Sequence, residues 1–336
     1  MTDRLPIDAL RNSAKSGLVG SDGDDSAITD MIPIGNTLYM VKERGIYGVQ
    51  LADQIDPQRT NASIPDTQQK ILAIGSSDPI VSRTLLTAHT LFDEKMLPAS
   101  FEQEKGLCLA LELLKDFVAI ETIRLDLETV ELQARAAYEA QRPVSGMLAL
   151  PSIGNLDARC DAFAQKAGHI VNTLEAIARL FYASEIRSKW IDSLTALVGK
   201  CYGNDSSFAR YMREAGPFLL FVLGMRNMIE HPTEEKHIKT FDFKMTPSAL
   251  IDPPYVEIVR PGEEKQKATI TPLMKKMVDD LLSVSEVLIA HLCAVHVQQF
   301  AGMPIDVVEL PIEQRSNKTQ RFYYGCQFGD QIVRIG

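Results

Sequence analysis

Residues 155–177 read NLDARCDAFAQKAGHIVNTLEAI, and this stretch decides the fold class. Its apolar residues recur alternately four and three positions apart, at Leu156, Cys160, Phe163, Ala167, Ile170, Leu174 and Ile177. That spacing places them on one side of an α-helix and is typical of a helix that packs in a bundle. The stretch therefore predicts a packed helix that begins near Asn155.

Further helices are predicted on both sides of this stretch. Upstream, residues 100–141 contain no proline, and Ser100 can cap the first turn together with Gln103. Downstream, a helix with Thr271 as its cap and Pro272 at its first position is predicted. Its apolar residues also lie three and four apart, at Met274, Met277, Leu281, Val284, Leu288, Leu292 and Val295. These patterns predict a mainly α fold.

Short strand patterns precede, interrupt and follow the helices. Residues 37–41 and 46–51 are rich in β-branched and aromatic side chains and flank a turn with Gly45, which predicts a β-hairpin. Strand-like runs at about 240–270 predict a small antiparallel insertion between two helices. The predicted domains are an α+β segment over 1–97, a helical bundle over 98–303 and a β-rich tail over 304–336.

Composition is that of an ordinary globular protein, with 45% hydrophobic and 24% charged residues. The five cysteines are scattered and form no C-x-x-C pair, which argues against a disulfide framework or a zinc ribbon and fits a reducing compartment. The N-terminus lacks the apolar core of a signal peptide, and the longest apolar run, residues 217–225, is too short to span a bilayer. We expect a cytoplasmic protein that makes no membrane contact.

The end of one predicted helix combines two chemically useful side chains. This helix begins near Ser206, and its end reads Arg226-Asn227-Met228-Ile229-Glu230-His231-Pro232. The guanidinium of Arg226 fits a phosphate, and the imidazole of His231 exchanges a proton near neutral pH. The two residues lie about 140° apart on an ideal helix. Because Pro232 disfavours helical backbone at His231, we expect His231 to fold back beside Arg226.

This motif resembles the signature of the HEPN superfamily, in which a polar residue follows an arginine and a histidine lies four to six residues further on. Arg226, Asn227 and His231 fit that pattern. The resemblance covers about 101–300 and implies a helical bundle with the signature near the end of an inner helix. It also implies a homodimer that cleaves RNA without a metal or cofactor, in toxin–antitoxin or defence systems where an inhibitory partner protein is expected. Other HEPN domains are inactive binding modules.

The resemblance gives each residue of the motif a role. The ribose 2′-hydroxyl attacks the adjacent phosphate, His231 moves protons as general base or acid, and Arg226 stabilises charge on the phosphate oxygens. Asn227 orients the pair or binds the phosphate. His237, close by in sequence, is a weaker candidate for substrate binding, and the alternative is an ordinary solvated loop histidine.

Net charge, the helix dipole and the spacing of two histidines also bear on the predicted function. The net charge of −9 and the absence of a basic patch favour the inactive interaction module, whereas the complete motif favours the ribonuclease. Arg226 and His231 would also suit a helix C-terminus simply by offsetting its dipole. His291 and His296 lie five apart within one predicted helix and do not converge, so no metal site is predicted.

Overall fold

A computed structural model describes residues 6–13, 19–20, 23–140, 148–299, 304–328 and 331–335. The chain is mainly α, with about 51% helix and several small antiparallel sheets. It forms two compact units, Met1–Leu111 with Cys293–Gly336, and Glu112–Leu292. This division differs from the three consecutive domains that the sequence predicted, because the C-terminal strands belong to the same unit as the N-terminal segment.

The first unit contains a four-stranded antiparallel sheet. Its strands lie in chain order: β1 (Ile28–Ile34), β2 (Thr37–Lys42), β3 (Ile46–Gln50) and β4 (Thr67–Leu72). The predicted hairpin is confirmed as β2 and β3, with Leu38 opposite Val49 and Val41 opposite Ile46. One face of the sheet supplies much of the core of this unit, through Ile32, Ile34, Val41 and Ile46.

Short helices and a second sheet complete the first unit. The helices are α1 (Pro6–Arg11), α2 (Ala52–Ile55), α3 (Pro79–Val81) and α4 (Thr87–Leu91), and a π-helical turn over Ser82–Leu86 joins α3 to α4. Strands β10 (Ile305–Glu309), β11 (Phe322–Phe328) and β12 (Gln331–Arg334) form the second sheet. The hydroxyl of Tyr324 on β11 donates to the carbonyl of Leu91 at 2.6 Å, so the C-terminal strands are anchored on α4.

Long helices dominate the second unit. They are most of α5 (Gln103–Glu139), then α6 (Leu156–Tyr182), α7 (Trp190–Tyr202), α8 (Ser207–Glu230) and most of α9 (Ile270–His296). The predicted side of α6 is confirmed, since all seven residues of its four-and-three pattern are buried. Both α6 and α7 pack against α8. Helix α8, which carries the motif, is therefore an inner helix of this unit.

Helix α9 begins at Ile270, two residues earlier than predicted. Strand β9 (Gln266–Thr269) leads directly into it, and the N–H of Ile270 donates to the carbonyl of Pro254 at 3.1 Å. Thr271 is consequently not the cap, and its hydroxyl donates to Glu131 at 2.6 Å instead. Most of the predicted apolar side is buried, but Val284 and Val295 are only half-buried.

The predicted antiparallel insertion is confirmed between α8 and α9. Strands β5 (His237–Phe241), β8 (Tyr255–Val259) and β9 form a three-stranded sheet in that order, and β6 (Lys244–Met245) pairs with β7 (Ile251–Asp252). The inner side of the sheet presents Ile238, Val256 and Ile258. These side chains and residues of α6, α8 and α9 enclose an apolar cavity of about 40 Å³. The sheet thus closes over the C-terminal half of α8.

Candidate active site at the end of helix α8

Helix α8 holds the motif on a well-packed scaffold. The hydroxyl of Ser206 caps its first turn by accepting from the N–H of Ala209 at 3.2 Å, and the helix begins at Ser207. Leu219, Val222, Met225 and Met228 are buried along one side. Phe218 and Ile229, which flank this side, are only half-buried. Pro217 lies within the helix, which continues to Glu230.

Arg226 makes an ion pair within its own helix. Its Nε donates to Oε1 of Glu230 at 2.9 Å, and the Arg226 side chain is 54% exposed. No hydrogen bond among the described residues joins Arg226 to His231. His231 leaves the helix, as expected from Pro232, since α8 ends at Glu230. The expectation that its side chain folds back beside Arg226 stays a prediction, and Glu230 is the observed ion-pair partner of Arg226.

His231 is tied to the last turn of α8 through Asn227. It lies just beyond the helix with non-helical backbone, at φ −128° and ψ 62°, and its N–H donates to the carbonyl of Asn227 at 3.0 Å. Gly224 lies one turn before Asn227, so these two residues share one face of the helix. The ammonium of Lys236 lies 4.0 Å from the position that a Cβ on Gly224 would occupy. The chain after His231 thus brings a cation back over this face.

His237 is fixed by the turn that follows the helix. The N–H of Thr233 donates to the carbonyl of Lys236 at 2.9 Å, and the N–H of Lys236 donates to the Thr233 hydroxyl at 3.1 Å. Nδ1 of His237 lies 2.7 Å from the carbonyl oxygen of Thr233. A carbonyl only accepts, so we assign the proton to Nδ1, which leaves Nε2 of the neutral ring able to accept a proton.

Two polar residues at this site have roles that the sequence analysis did not assign. Glu230 lies four residues after Arg226, and that spacing alone predicts an ion pair on a helix. The sequence does not predict the position of Lys236, because its location over Gly224 depends on the geometry of the turn. The end of α8 therefore gathers Arg226, Asn227, His231, Lys236 and His237, with Glu230 as the direct counter-charge of Arg226.

Neither a metal-binding cluster nor a membrane span is found in the described ranges. Those ranges contain no group of three or more histidine, cysteine or acidic side chains that could hold a metal ion. His291 packs parallel to the ring of Phe208, with the ring centroids 5.1 Å apart, and burial lowers its pKa. Nor is any helix in the described ranges both long and apolar enough to cross a bilayer.

No family model, curated protein or solved structure matches the chain. Any function must therefore be argued from the chemistry of the end of α8 and its surroundings.

Proposed function

We propose that this protein is a metal-independent endoribonuclease of HEPN type that acts as a homodimer. The observation that carries the proposal is the grouping of Arg226, Asn227, His231 and His237 at the end of an otherwise packed helix. Arg226, Asn227 and His231 are exposed, and His237 is partly exposed, so all are accessible to a substrate. A guanidinium, an amide and imidazoles are the groups needed to bind a phosphate and move protons.

The proposed reaction needs only these groups and the RNA itself. An imidazole takes the proton of the ribose 2′-hydroxyl as that oxygen bonds to the phosphorus. The bond between phosphorus and the 5′ oxygen then breaks, and the leaving oxygen receives a proton from an imidazolium. Arg226 stabilises the charge that grows on the non-bridging oxygens. In this proposal His231 is the first choice for proton transfer, and Nε2 of His237 is a weaker second candidate.

The dimer supplies what one copy lacks. Within one chain Arg226 is paired with Glu230, while the next residue, Asn227, lies on another face of α8. That face continues along α8 through Gly224, Leu220 and Pro217 at three-and-four spacing, and Leu220 is 47% exposed. An exposed apolar stripe in the same line as the motif favours a contact between two copies of α8 there. A two-fold axis close to the motif end of this stripe would bring the two motifs together.

A second candidate function is an inactive interaction module with the same dimer. It is favoured by the ion pair between Arg226 and Glu230, which neutralises the group that would bind phosphate. The net charge of −9 favours it too, because a polyanion is repelled on average. In this alternative the end of α8 serves assembly alone.

Cleavage of single-stranded RNA in the presence of EDTA tests the proposal. We expect the wild-type protein to cut, and His231→Ala and Arg226→Ala each to lose about a hundredfold or more in rate. His169→Ala and Arg210→Ala are matched controls, because both residues are exposed in the same unit. Cutting that survives in both motif variants, or that the controls lose equally, would place the activity elsewhere.

A further inference from the structure

The outer side of the sheet of β5, β8 and β9 carries a cluster of lysines. Lys239, Glu257 and Lys267 lie directly opposite one another across the three strands and so project to the same side. Ile238, Val256 and Ile258 face the other way, into the apolar cavity. We define the lysine face as the outer side of this sheet with its four exposed ammonium groups, those of Lys239, Lys244, Lys265 and Lys267.

A stacked aromatic pair orders two of these lysines. Phe241 and Tyr255 lie with ring centroids 4.8 Å apart and nearly parallel. The ammonium of Lys244 lies 3.9 Å from the Phe241 centroid and 3.2 Å from the Tyr255 hydroxyl. The ammonium of Lys267 lies 3.8 Å from the Tyr255 centroid. Cation–π contacts therefore hold both ammonium groups over one pair of rings. Because these side chains are already ordered, they lose less conformational entropy when an anion binds.

Positive charge outweighs negative charge on this face. Within the described ranges, Glu257 pairs with Lys265 at 2.6 Å, and Asp252 pairs with Lys267 at 3.1 Å. Lys239 makes no ion pair with any residue that the structure describes. The hydrogen bond from Lys265 lowers the pKa of Glu257, and the charges of Lys244 and Lys267 act in the same direction. Lys239 and Lys244 therefore carry charges with no carboxylate ion pair among the described residues, in a chain whose net charge is −9.

The lysine face is continuous with the end of α8. His237 opens β5 and lies two residues before Lys239, so both project to the same side of the sheet. The rise along a strand places them only about 7 Å apart in the strand direction. An anionic chain lying along β5 would therefore pass from the lysines directly to His237.

We propose that the lysine face binds the sugar–phosphate backbone of single-stranded RNA and leads it to the end of α8. The choice of RNA among polyanions rests on the proposed function. The contacts are electrostatic, since Tyr255 is buried beneath the lysines and offers no free ring for a base. Each lysine that contacts a phosphate should release about 0.7 of a counterion on a single strand.

Binding of a short RNA with 2′-O-methyl riboses tests this inference, because such a strand cannot be cut by 2′-hydroxyl attack. Fluorescence anisotropy on the full chain gives Kd at several salt concentrations. We expect Lys239→Gln and Lys267→Gln each to raise Kd about fourfold at roughly 0.15 M salt and to lower the slope of log Kd against log salt by about 0.7. Circular dichroism checks that each variant is folded.

Lys200→Gln is the matched control. Lys200 is exposed near the end of α7 and lies close in sequence to the first turn of α8, whereas the motif lies at the opposite end of that roughly 36 Å helix. Unchanged Kd in both lysine-face variants would overturn the inference. So would an equal loss in Lys200→Gln, or binding to anionic lipid vesicles but not to RNA.

The outcomes also separate this inference from the proposed function. If the wild-type chain binds RNA with the expected dependence on Lys239 and Lys267 but cuts none, the ribonuclease proposal fails and the lysine face stands. If it cuts RNA in EDTA while both variants bind like the wild type, the lysine face fails and the ribonuclease proposal stands.

Discussion

At the scale of single residues, the state of Arg226 decides what the end of α8 can do. Its guanidinium forms an ion pair with Glu230. A phosphate of the substrate would have to compete with that carboxylate. Exposed ion pairs four residues apart contribute only about 0.3–0.5 kcal/mol. A phosphodiester carries one negative charge like the carboxylate, but it outweighs that small contribution because its two non-bridging oxygens accept from the guanidinium in a bidentate manner. Glu230 is thus a weak restraint on Arg226.

Glu230→Gln tests this competition. Without the ion pair, Arg226 should bind the phosphate with about 0.3–0.5 kcal/mol less to overcome, so kcat/KM for RNA cleavage should rise about twofold. Glu234→Gln is the control, since it removes the same charge from an exposed position in the turn that follows. A fall in kcat/KM would mean that Glu230 positions Arg226 for catalysis, which contradicts its role as a competitor.

In the first unit, Asp24 is a single residue on which stability depends. Its carboxylate accepts from the Ser26 hydroxyl at 2.6 Å and from the Tyr47 hydroxyl at 2.8 Å, and it faces the buried ammonium of Lys42. The hydrogen bond from Ser26 contributes most to lowering the pKa of Asp24. A lowered pKa in the folded state means that ionised Asp24 stabilises the protein above its unfolded pKa of about 3.9.

Asp24→Asn should therefore lower the urea midpoint at pH 7. The stabilisation is lost as pH falls through and below the unfolded pKa, so the difference from the wild type should narrow towards pH 3. Asp25→Asn is the matched control, because the Asp25 side chain is 90% exposed. A difference that stays constant from pH 7 to pH 3 would show that Asp24 acts through its shape and not through its charge.

At the scale of elements, α8 has one packed side and one exposed stripe. Leu219, Val222 and Met225 are buried, whereas Pro217 and Leu220 are exposed in the same line as Asn227. The sequence is apolar on nearly all sides of this segment, which predicted burial on several sides. One chain leaves Leu220 uncovered, as expected if a second copy covers it.

Light scattering tests that assembly. We expect about twice the 37.3 kDa chain mass at micromolar concentration, since an apolar two-fold interface of ordinary size is tight. Leu220→Asp should reduce the mass to that of one chain, because it places a charge in the contact. Leu250→Asp is the control, at a leucine that is 67% exposed in a loop of the same unit. A wild-type chain that stays monomeric at high concentration contradicts the dimer.

Elements whose apolar residues recur at regular spacing were predictable from the sequence. Elements that are fixed by contacts with distant parts of the chain were not. The helical side of α6 followed from four-and-three spacing, and the β2–β3 hairpin followed from two β-branched runs around Gly45. Strand β4 was missed because its first four residues, 67–70, are polar and exposed. The start of α9 was misplaced because β9 runs into it without a separate cap.

The candidate site was predictable in composition but not in arrangement. Arg226, Asn227 and His231 stand out as residue types, and the position of the motif at a helix end followed from Pro232. The turn after the helix, which brings Lys236 back over Gly224, could not be predicted because it depends on contacts within that turn. The lysine face required the strand register, because Lys239 and Lys267 are far apart in the chain and meet only across β8.

At the scale of the whole molecule, charge is distributed unevenly over an acidic chain. A net charge of −9 slows the approach of RNA from a distance, while the lysine face and the end of α8 attract it locally. Such a protein should bind RNA weakly and with a strong dependence on salt. Both ends of the chain belong to the first unit, and the motif lies in the second unit, within residues 112–292.

The chemistry of the cut ends is the measurement that tests the central claim most directly. Single-stranded RNA is incubated with the wild-type protein in EDTA, and the fragments are analysed by mass spectrometry. We expect a 2′,3′-cyclic phosphate on the upstream fragment and a 5′-hydroxyl on the downstream one, both absent with His231→Ala. Uncut RNA, or fragments with 5′-phosphates and 3′-hydroxyls, would contradict 2′-hydroxyl attack at the end of α8.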